Sequence, residues 1–428
     1  MLQTLKNAWR IDELRRKLII TALILILYRF GCAIPVPFVD SATISGWFSE
    51  NTDNLLGYFG VINGPAFSQA TLFALSISPY ITASIVMQLL AVAIPALERM
   101  SKEGPEGQKK ITQITRYVTV VLALVTAFGY YRALDTSKAL TESGWFVGVV
   151  IVASYCAGAS LIMWLGEKIN DHGIGNGISM ILFINIVSSF PAMFSNLLQV
   201  GGQGSINKMY YIAVVAVVII MVAIVFFVVW VTNSERRIPI QYAKRQMGRK
   251  VYGGANSNLP IKLNMSGVMP IIFAQSIVAL PSTLALIFGW NTENGFFKYF
   301  SMTSYIGVAV NFALIIAFSY FYITISFNPI EVANNLKKNG GTITGIRPGK
   351  PTTDYIVKIL NRITFIGALF LGFIAVFPQV LNWIFPHSAI GSLVFGGSSL
   401  LIVVGVVLET FRELEGQITM RNYKGFLN

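Results

Sequence analysis

Ten stretches of mostly apolar residues, each close to the length of a bilayer-spanning helix, constrain this chain more than any other feature. They run over 18–36, 70–94, 115–134, 145–166, 177–198, 209–232, 267–289, 303–326, 359–381 and 388–409. A helix crosses the hydrocarbon core with ~20 such residues, and inside lipid the backbone must satisfy its own hydrogen bonds, which favours helices. Charged residues are 12% of the chain, against about 25% in a soluble domain. An ordinary soluble fold is excluded, and the prediction is an all-α polytopic membrane protein with ten transmembrane helices.

Charge then orients the spans. The 428 residues carry 32 Lys and Arg against 19 Asp and Glu, a net +13. Alternating the ten stretches puts 27 of the 32 basic residues on one side. Arg132, Lys138, Lys208 and Lys298 fall on the other, and Arg29 lies within the first stretch. Basic loops stay in the cytoplasm, so both termini and the large loops are predicted there. Lys6, Arg10, Arg15, Arg16 and Lys17 precede the first stretch as they would a signal peptide. That stretch runs on to Pro35-Val36-Pro37 without a small-residue cleavage site, and reads as a retained span.

One segment does not fit the alternation. LLGYFGVINGPAFSQ, residues 55–69, is too short to span and is broken by Gly57, Gly60 and Gly64-Pro65. Irregular backbone at membrane depth survives only where protein or a water-filled cavity satisfies it, whereas a Gly-Pro turn outside the membrane costs little. A re-entrant segment and an external loop are both open on these grounds.

The spans are poor in the groups that carry solute transport or catalysis. A secondary transporter places carboxylates, His or paired charges near the bilayer midplane. Here Arg29 sits late in the first span and Glu167, Lys168 and Glu409 at span ends; His172 and His387 lie far apart at loop or interface positions. Cys32 and Cys156 each lie inside an apolar stretch, which predicts buried free thiols with no disulfide and no metal site. GIGNGIS at 173–179 and GGTITGIRPG at 340–349 are glycine-rich, but neither has the strand and helix context of a dinucleotide fingerprint or the Gly-Lys-Ser/Thr ending of a phosphate loop. The first reads as turn chemistry opening an apolar helix, the second as an exposed loop. No enzyme activity and no cofactor are expected.

The two largest cytoplasmic loops are the unusual feature. Residues 234–264, SERRIPIQYAKRQMGRKVYGGANSNLPIKLN, carry seven basic residues among aromatics and short β-prone runs, and read as a structured hairpin. Residues 327–358 form the second basic loop, shaped by Gly and Pro. Fixing topology needs only a few charges near span ends; two ordered basic surfaces suit an acidic or RNA-containing partner bound in a salt-sensitive way.

Several blocks resemble the SecY family of bacterial protein-translocation channels. They are FALSISPYITASIVMQLL at 73–90, KEGPEGQKKITQITRY at 102–117, MWLGEKINDHGIGNGIS at 163–179, RRIPIQYAKR at 236–245 and GRKVYGG at 248–254. NPIEVANNLKKNGGTITGIRPGK at 328–350, FGGSSLLIVVGVVLET at 395–410 and RNYKGFLN at 421–428 follow in the family's order. The resemblance covers nearly the whole chain.

That resemblance implies a clamshell of two inverted five-helix halves, residues 1–200 with spans one to five and residues 201–428 with spans six to ten. It implies a re-entrant plug helix near 57–68, built on Gly57, Tyr58, Phe59, Gly60, Val61 and Ile62. It also implies a waist ring of aliphatic side chains at Ile77, Ile81, Leu182, Ile186, Ile272 and Ile402. From the residues alone, Ile77 with Ile81 and Leu182 with Ile186 are each four apart and share a helix face. By resemblance, motor and ribosome docking falls on the cytoplasmic loops 233–266 and 327–358. Arg236, Arg237, Lys244 and Arg245 belong to the first, with Arg249 and Lys250; Arg347 and Lys350 belong to the second.

The implied function is a protein-conducting channel in the bacterial cytoplasmic (inner) membrane, passing unfolded signal-bearing polypeptides and releasing transmembrane segments sideways into lipid. A lateral gate between spans two and three and spans seven and eight would admit signal peptides. SecE and SecG are the implied small membrane subunits, with the SecA ATPase or the ribosome as motor, preproteins as cargo and membrane lipid around the gate. A secondary transporter of a small solute would share inverted halves but needs the midplane charges that these spans lack.

Overall fold

The computed structural model describes residues 2–50, 65–142, 144–200, 208–242, 245–247, 250–252, 256–288, 304–384 and 397–424. Each of the ten apolar stretches contributes to a helix. The chain opens with α1 (Leu2–Arg10), α2 (Asp12–Gly31), α3 (Ser41–Glu50) and the short α4 (Pro65–Ser68). It continues through α5 (Ser78–Ala93), α6 (Pro95–Lys102), α7 (Pro105–Thr136), α8 (Trp145–His172), α9 (Gly177–Val200) and α10 (Lys208–Asn233). After a strand-forming region come α11 (Met269–Phe288), α12 (Tyr305–Ser326) and α13 (Pro329–Lys338), then α14 (Lys350–Ile384) and α15 (Gly397–Lys424).

Among the described residues, four helical runs are long and apolar enough to cross a membrane: Pro105–Thr136, Trp145–His172, Tyr305–Lys338 and Lys350–Val380. A fifth is added if α5 and α6, bent by 102° at their junction, count as one. Pro95 causes that bend: the residue before a proline is pushed out of the helical region, and Ile94 is extended at φ −105°, ψ 114°. Shorter apolar helices cover Gly177–Pro191, Val218–Asn233 and Met269–Pro281. In α2 the first turns hold Asp12, Glu13, Arg15, Arg16 and Lys17, which leaves a shorter apolar run to Phe30. Leu23, Ile26 and Phe30 of α2 and Ile219, Val222 and Phe226 of α10 stand outward. Apolar exteriors of this kind fit lipid rather than water.

The stretch 70–94 is not helical throughout. Its helix begins only at Ser78, with Pro79 in the first turn, while 69–77 is a series of turns with Ala70 and Ser76 both at φ +50°. That left-handed backbone is sterically incompatible with a continuing helix. Neighbouring helices supply partners here: the Tyr155 hydroxyl on α8 donates to the Ala70 carbonyl in the turns at 3.2 Å, and the Tyr130 hydroxyl on α7 to the Phe67 carbonyl of α4 just before them at 2.6 Å. The Leu72 amide donates to the Ile34 carbonyl at 2.9 Å.

α8 passes this segment closely enough that a Cβ at Gly158 would overlap the Leu72 carbonyl. Overpacking of this kind costs about 1–3 kcal/mol. Gly158→Leu is therefore expected to lower the thermal midpoint of the purified protein, and Gly158→Ala to lower it less. An unchanged midpoint for both would contradict the close approach.

Three of the five described strands form one antiparallel sheet and the other two a separate pair. β1 (Glu235–Tyr242) lies between β4 (Asn256–Lys262) and β5 (Gly341–Ile343), with Ile238 opposite Leu259 and Ile240 opposite Ile343. β2 (Arg245–Met247) and β3 (Lys250–Tyr252) pair separately. The hairpin expectation holds. The all-α expectation is corrected to a mostly helical chain with a small sheet, because β1 alternates its burial with period two from Ile238 onward and pairs along both edges.

Candidate functional site

The six aliphatic positions expected at the waist come from four helices and fall in one apolar cluster. Ile77 caps the start of α5, and its carbonyl accepts from the Ile81 amide at 3.1 Å. One turn therefore stacks the two side chains. Leu182 and Ile186 lie on α9 and Ile402 on α15, all buried, while Ile272 on α11 is half-buried like Ile81. Ile162, Leu165 and Ile169 of α8 back the cluster. The cluster thus joins helices from residues 1–200 to helices from 201–428. Beside it, α11 packs along α7 and touches α5, while α12 packs on α11 and α14.

Segment 173–179 behaves as turn chemistry. Gly175 takes φ +83°. The Asn176 side chain accepts from the Ile178 and Ser179 amides at 3.1 and 3.4 Å, capping α9. The Asn170 side chain accepts from the Gly177 amide at 2.7 Å. No phosphate is needed to explain these glycines.

Gly57, Tyr58, Phe59, Gly60, Val61 and Ile62 lie outside the described residues. Just after them, Ala66 and Phe67 of α4 are buried, and Ala66 belongs to the same cluster as the six aliphatic positions.

On the basic loops, Arg236 and Arg237 are exposed on β1, and the Arg237 Nε pairs with the Glu235 Oε1 at 2.7 Å. Arg245 lies on β2 and Lys250 on β3, while Lys244 and Arg249 lie outside the described residues. Arg347 and Lys350 are exposed. Gly345 at φ +81° and Gly349 at φ +105° flank the Arg347 turn, and the Thr352 hydroxyl donates to the Arg347 carbonyl at 2.9 Å. Beneath the sheet, Ile238, Ile261 and Ile343 pack with Ile356 and Ile359 of α14.

Pairing of β5 on β1 makes the two loops one surface, which the sequence reading did not anticipate. A three-residue strand in a glycine-rich loop gives too short a run to recognise. Arg412 on α15 was also missed. Its guanidinium donates to the Thr232 carbonyl at 3.1 Å and the Asn233 Oδ1 at 2.7 Å, capping α10 immediately before β1. Both cysteines are free.

A protein-family model described as SecY matches residues 71–411. The protein translocase subunit SecY of Streptomyces galbus is 43% identical over 445 residues, covering 100% of each chain. A solved SecY channel, studied for how its plug domain stabilises the closed state, aligns with TM-score 0.69 at 21% identity, over 94% of this chain and 91% of that one. Sec61 in the canine ribosome–channel complex aligns with TM-score 0.61 at 18% identity, over 94% and 91%. A full-length relative at this identity and a family match across most of the apolar helices place the chain in one lineage: it belongs to the SecY family of protein-translocation channel subunits.

Proposed function

We propose that this protein-conducting channel is shut at rest by the cluster that gathers Ile77, Ile81, Leu182, Ile186, Ile272 and Ile402. The observation that carries the reading is their convergence in one apolar cluster from four helices far apart in sequence. A hydrophobic constriction excludes ions by dewetting. Aliphatic side chains also offer a passing chain no hydrogen bonds, so the constriction tolerates any sequence.

In this reading the ten apolar stretches are ten spans, both termini are cytoplasmic, and residues 1–200 and 201–428 are inverted halves that part to open the constriction. Segment 57–68 acts as the outer plug. The packing of α11 on α7 and α5 supports a lateral gate there, through which apolar helices of signal peptides and transmembrane segments reach lipid. The surface built by β1, β4, β5 and the Arg347 turn receives the motor, a SecA ATPase or a ribosome, and the small subunits SecE and SecG complete the membrane complex in the bacterial cytoplasmic membrane. The apolar stretches hold no charged pair of the kind a small-solute transporter places near the midplane.

The deciding experiment reconstitutes the protein with a SecE-like subunit in proteoliposomes, adds SecA, ATP and a signal-bearing preprotein, and measures protease-protected cargo. Protection that requires both ATP and the signal is the expected result. If SecA binds but no protection develops, the motor assignment is wrong.

A further inference from the structure

A chain of buried hydrogen bonds runs through the aliphatic cluster. Asn185 on α9 lies one turn after Leu182 and next to Ile186, and is 1% exposed. Its side-chain oxygen accepts from the Tyr28 hydroxyl at 2.6 Å, and its amide donates to the Ser76 hydroxyl at 2.6 Å. Tyr28, on α2, is fully buried and stacks on Phe73 with ring centroids 5.6 Å apart. Ser76 is 1% exposed and directly precedes Ile77. Three polar side chains from α2, α9 and the turn before α5 thus meet among apolar neighbours.

Two physical features make this more than incidental packing. Buried polar groups are costly unless paired, and once paired they select one arrangement of the segments that carry them, since any slippage leaves them unpaired. Ser76 also holds φ +50°, a conformation that side-chain-bearing residues adopt only where surrounding contacts hold it. The Asn185 bond is such a contact.

We propose that Tyr28, Asn185 and Ser76 are positioning residues that lock Ile77, Leu182 and Ile186 into one rigid face of the resting constriction, opposite Ile272 and Ile402. This rests on the reading of the aliphatic cluster as the resting seal. With the lock intact, the seal opens only when α11 and α15 draw away from that face. With the lock broken, α9 and the 76–77 turn shift independently and the seal leaks without a signal.

The test is resting ion conductance of the purified complex in planar bilayers, paired with the ratio of cargo protection with and without a signal. Asn185→Leu keeps the site filled but removes both bonds, and is expected to raise resting conductance tenfold or more and to lower the signal ratio. Tyr28→Phe removes one hydroxyl and is expected to raise conductance about threefold; it decides the matter alone if Asn185→Leu fails to accumulate. The double variant should leak no more than Asn185→Leu. Wild-type conductance in both single variants, or additive leaks in the double, overturns the lock. Leakage in an Ile77→Ala, Ile81→Ala control with tight node variants would remove the lock and keep the seal; a tight control would remove the seal itself.

Discussion

Replacing Ile77 and Ile81 together with Gly is expected to raise the ion conductance of the resting channel about tenfold or more. Full burial of an Ile side chain is worth about 1.5–3 kcal/mol, which applies to Ile77, while the half-buried Ile81 contributes part of that. The two together thus exceed the ~1.4 kcal/mol that corresponds to a tenfold change in population. Ile77 is buried and Ile81 half-buried in the same cluster, and the bond between their backbones stacks them in one turn. In the proposed seal, removing both opens a gap two side chains wide in the apolar surface.

Glycine at Ile81 also weakens the first turns of α5, by about 1 kcal/mol relative to Ala in a helix interior, whereas Ile77 sits at the cap, where glycine is tolerated. The Ala pair separates the two effects, since it leaves the helix intact and should leak as well. An Ile77→Leu, Ile81→Leu pair preserves volume and should stay closed. Planar-bilayer recording reads all three. A silent Gly pair would take both residues out of the constriction.

The helical membrane part of the fold was legible in hydrophobic block length, because lipid leaves the backbone few alternatives. Helix ends were less so. The 70–94 stretch is apolar almost throughout, and nothing in its hydropathy marks the turns at 69–77, where the Ala70 carbonyl accepts from the Tyr155 hydroxyl, 85 residues away in sequence. Spacing alone made Ile77 and Ile81 a shared face, but their meeting with Leu182, Ile186, Ile272 and Ile402 rested on family resemblance, since an aliphatic residue facing lipid and one facing a cluster look alike in sequence. Asn185, Tyr28 and Ser76 escaped for the opposite reason: single polar residues in apolar runs carry no pattern until the fold brings them together.

Arg347→Glu is expected to abolish motor-driven protease protection while leaving the protein inserted at normal levels. Arg347 is exposed, and substitutions at exposed positions without special packing change stability by about 0.5 kcal/mol or less. Its backbone does not depend on the side chain: the turn is shaped by Gly345 and Gly349, by Thr352 bonded to the Arg347 carbonyl, and by the Ile346 amide donating to Ile343 at 3.0 Å. Because β5 pairs with β1, the turn that follows β5 and the Arg236 and Arg237 side chains on β1 are carried by the same sheet. A partner docked on this surface meets a fixed array of positive charge, and a central arginine in such an interface typically contributes 2 kcal/mol or more, roughly a thirtyfold change in affinity. Charge reversal adds repulsion, so the loss should exceed that of Arg347→Ala, while Arg347→Lys, which keeps charge but not the planar fork, should retain part of the activity. Raising salt should weaken motor binding to wild type and have less effect on what binding Arg347→Ala retains, because one screened contact is already gone. Cosedimentation of the motor with proteoliposomes measures binding separately from transport. Full protection with Arg347→Glu at normal motor binding would move docking off this turn.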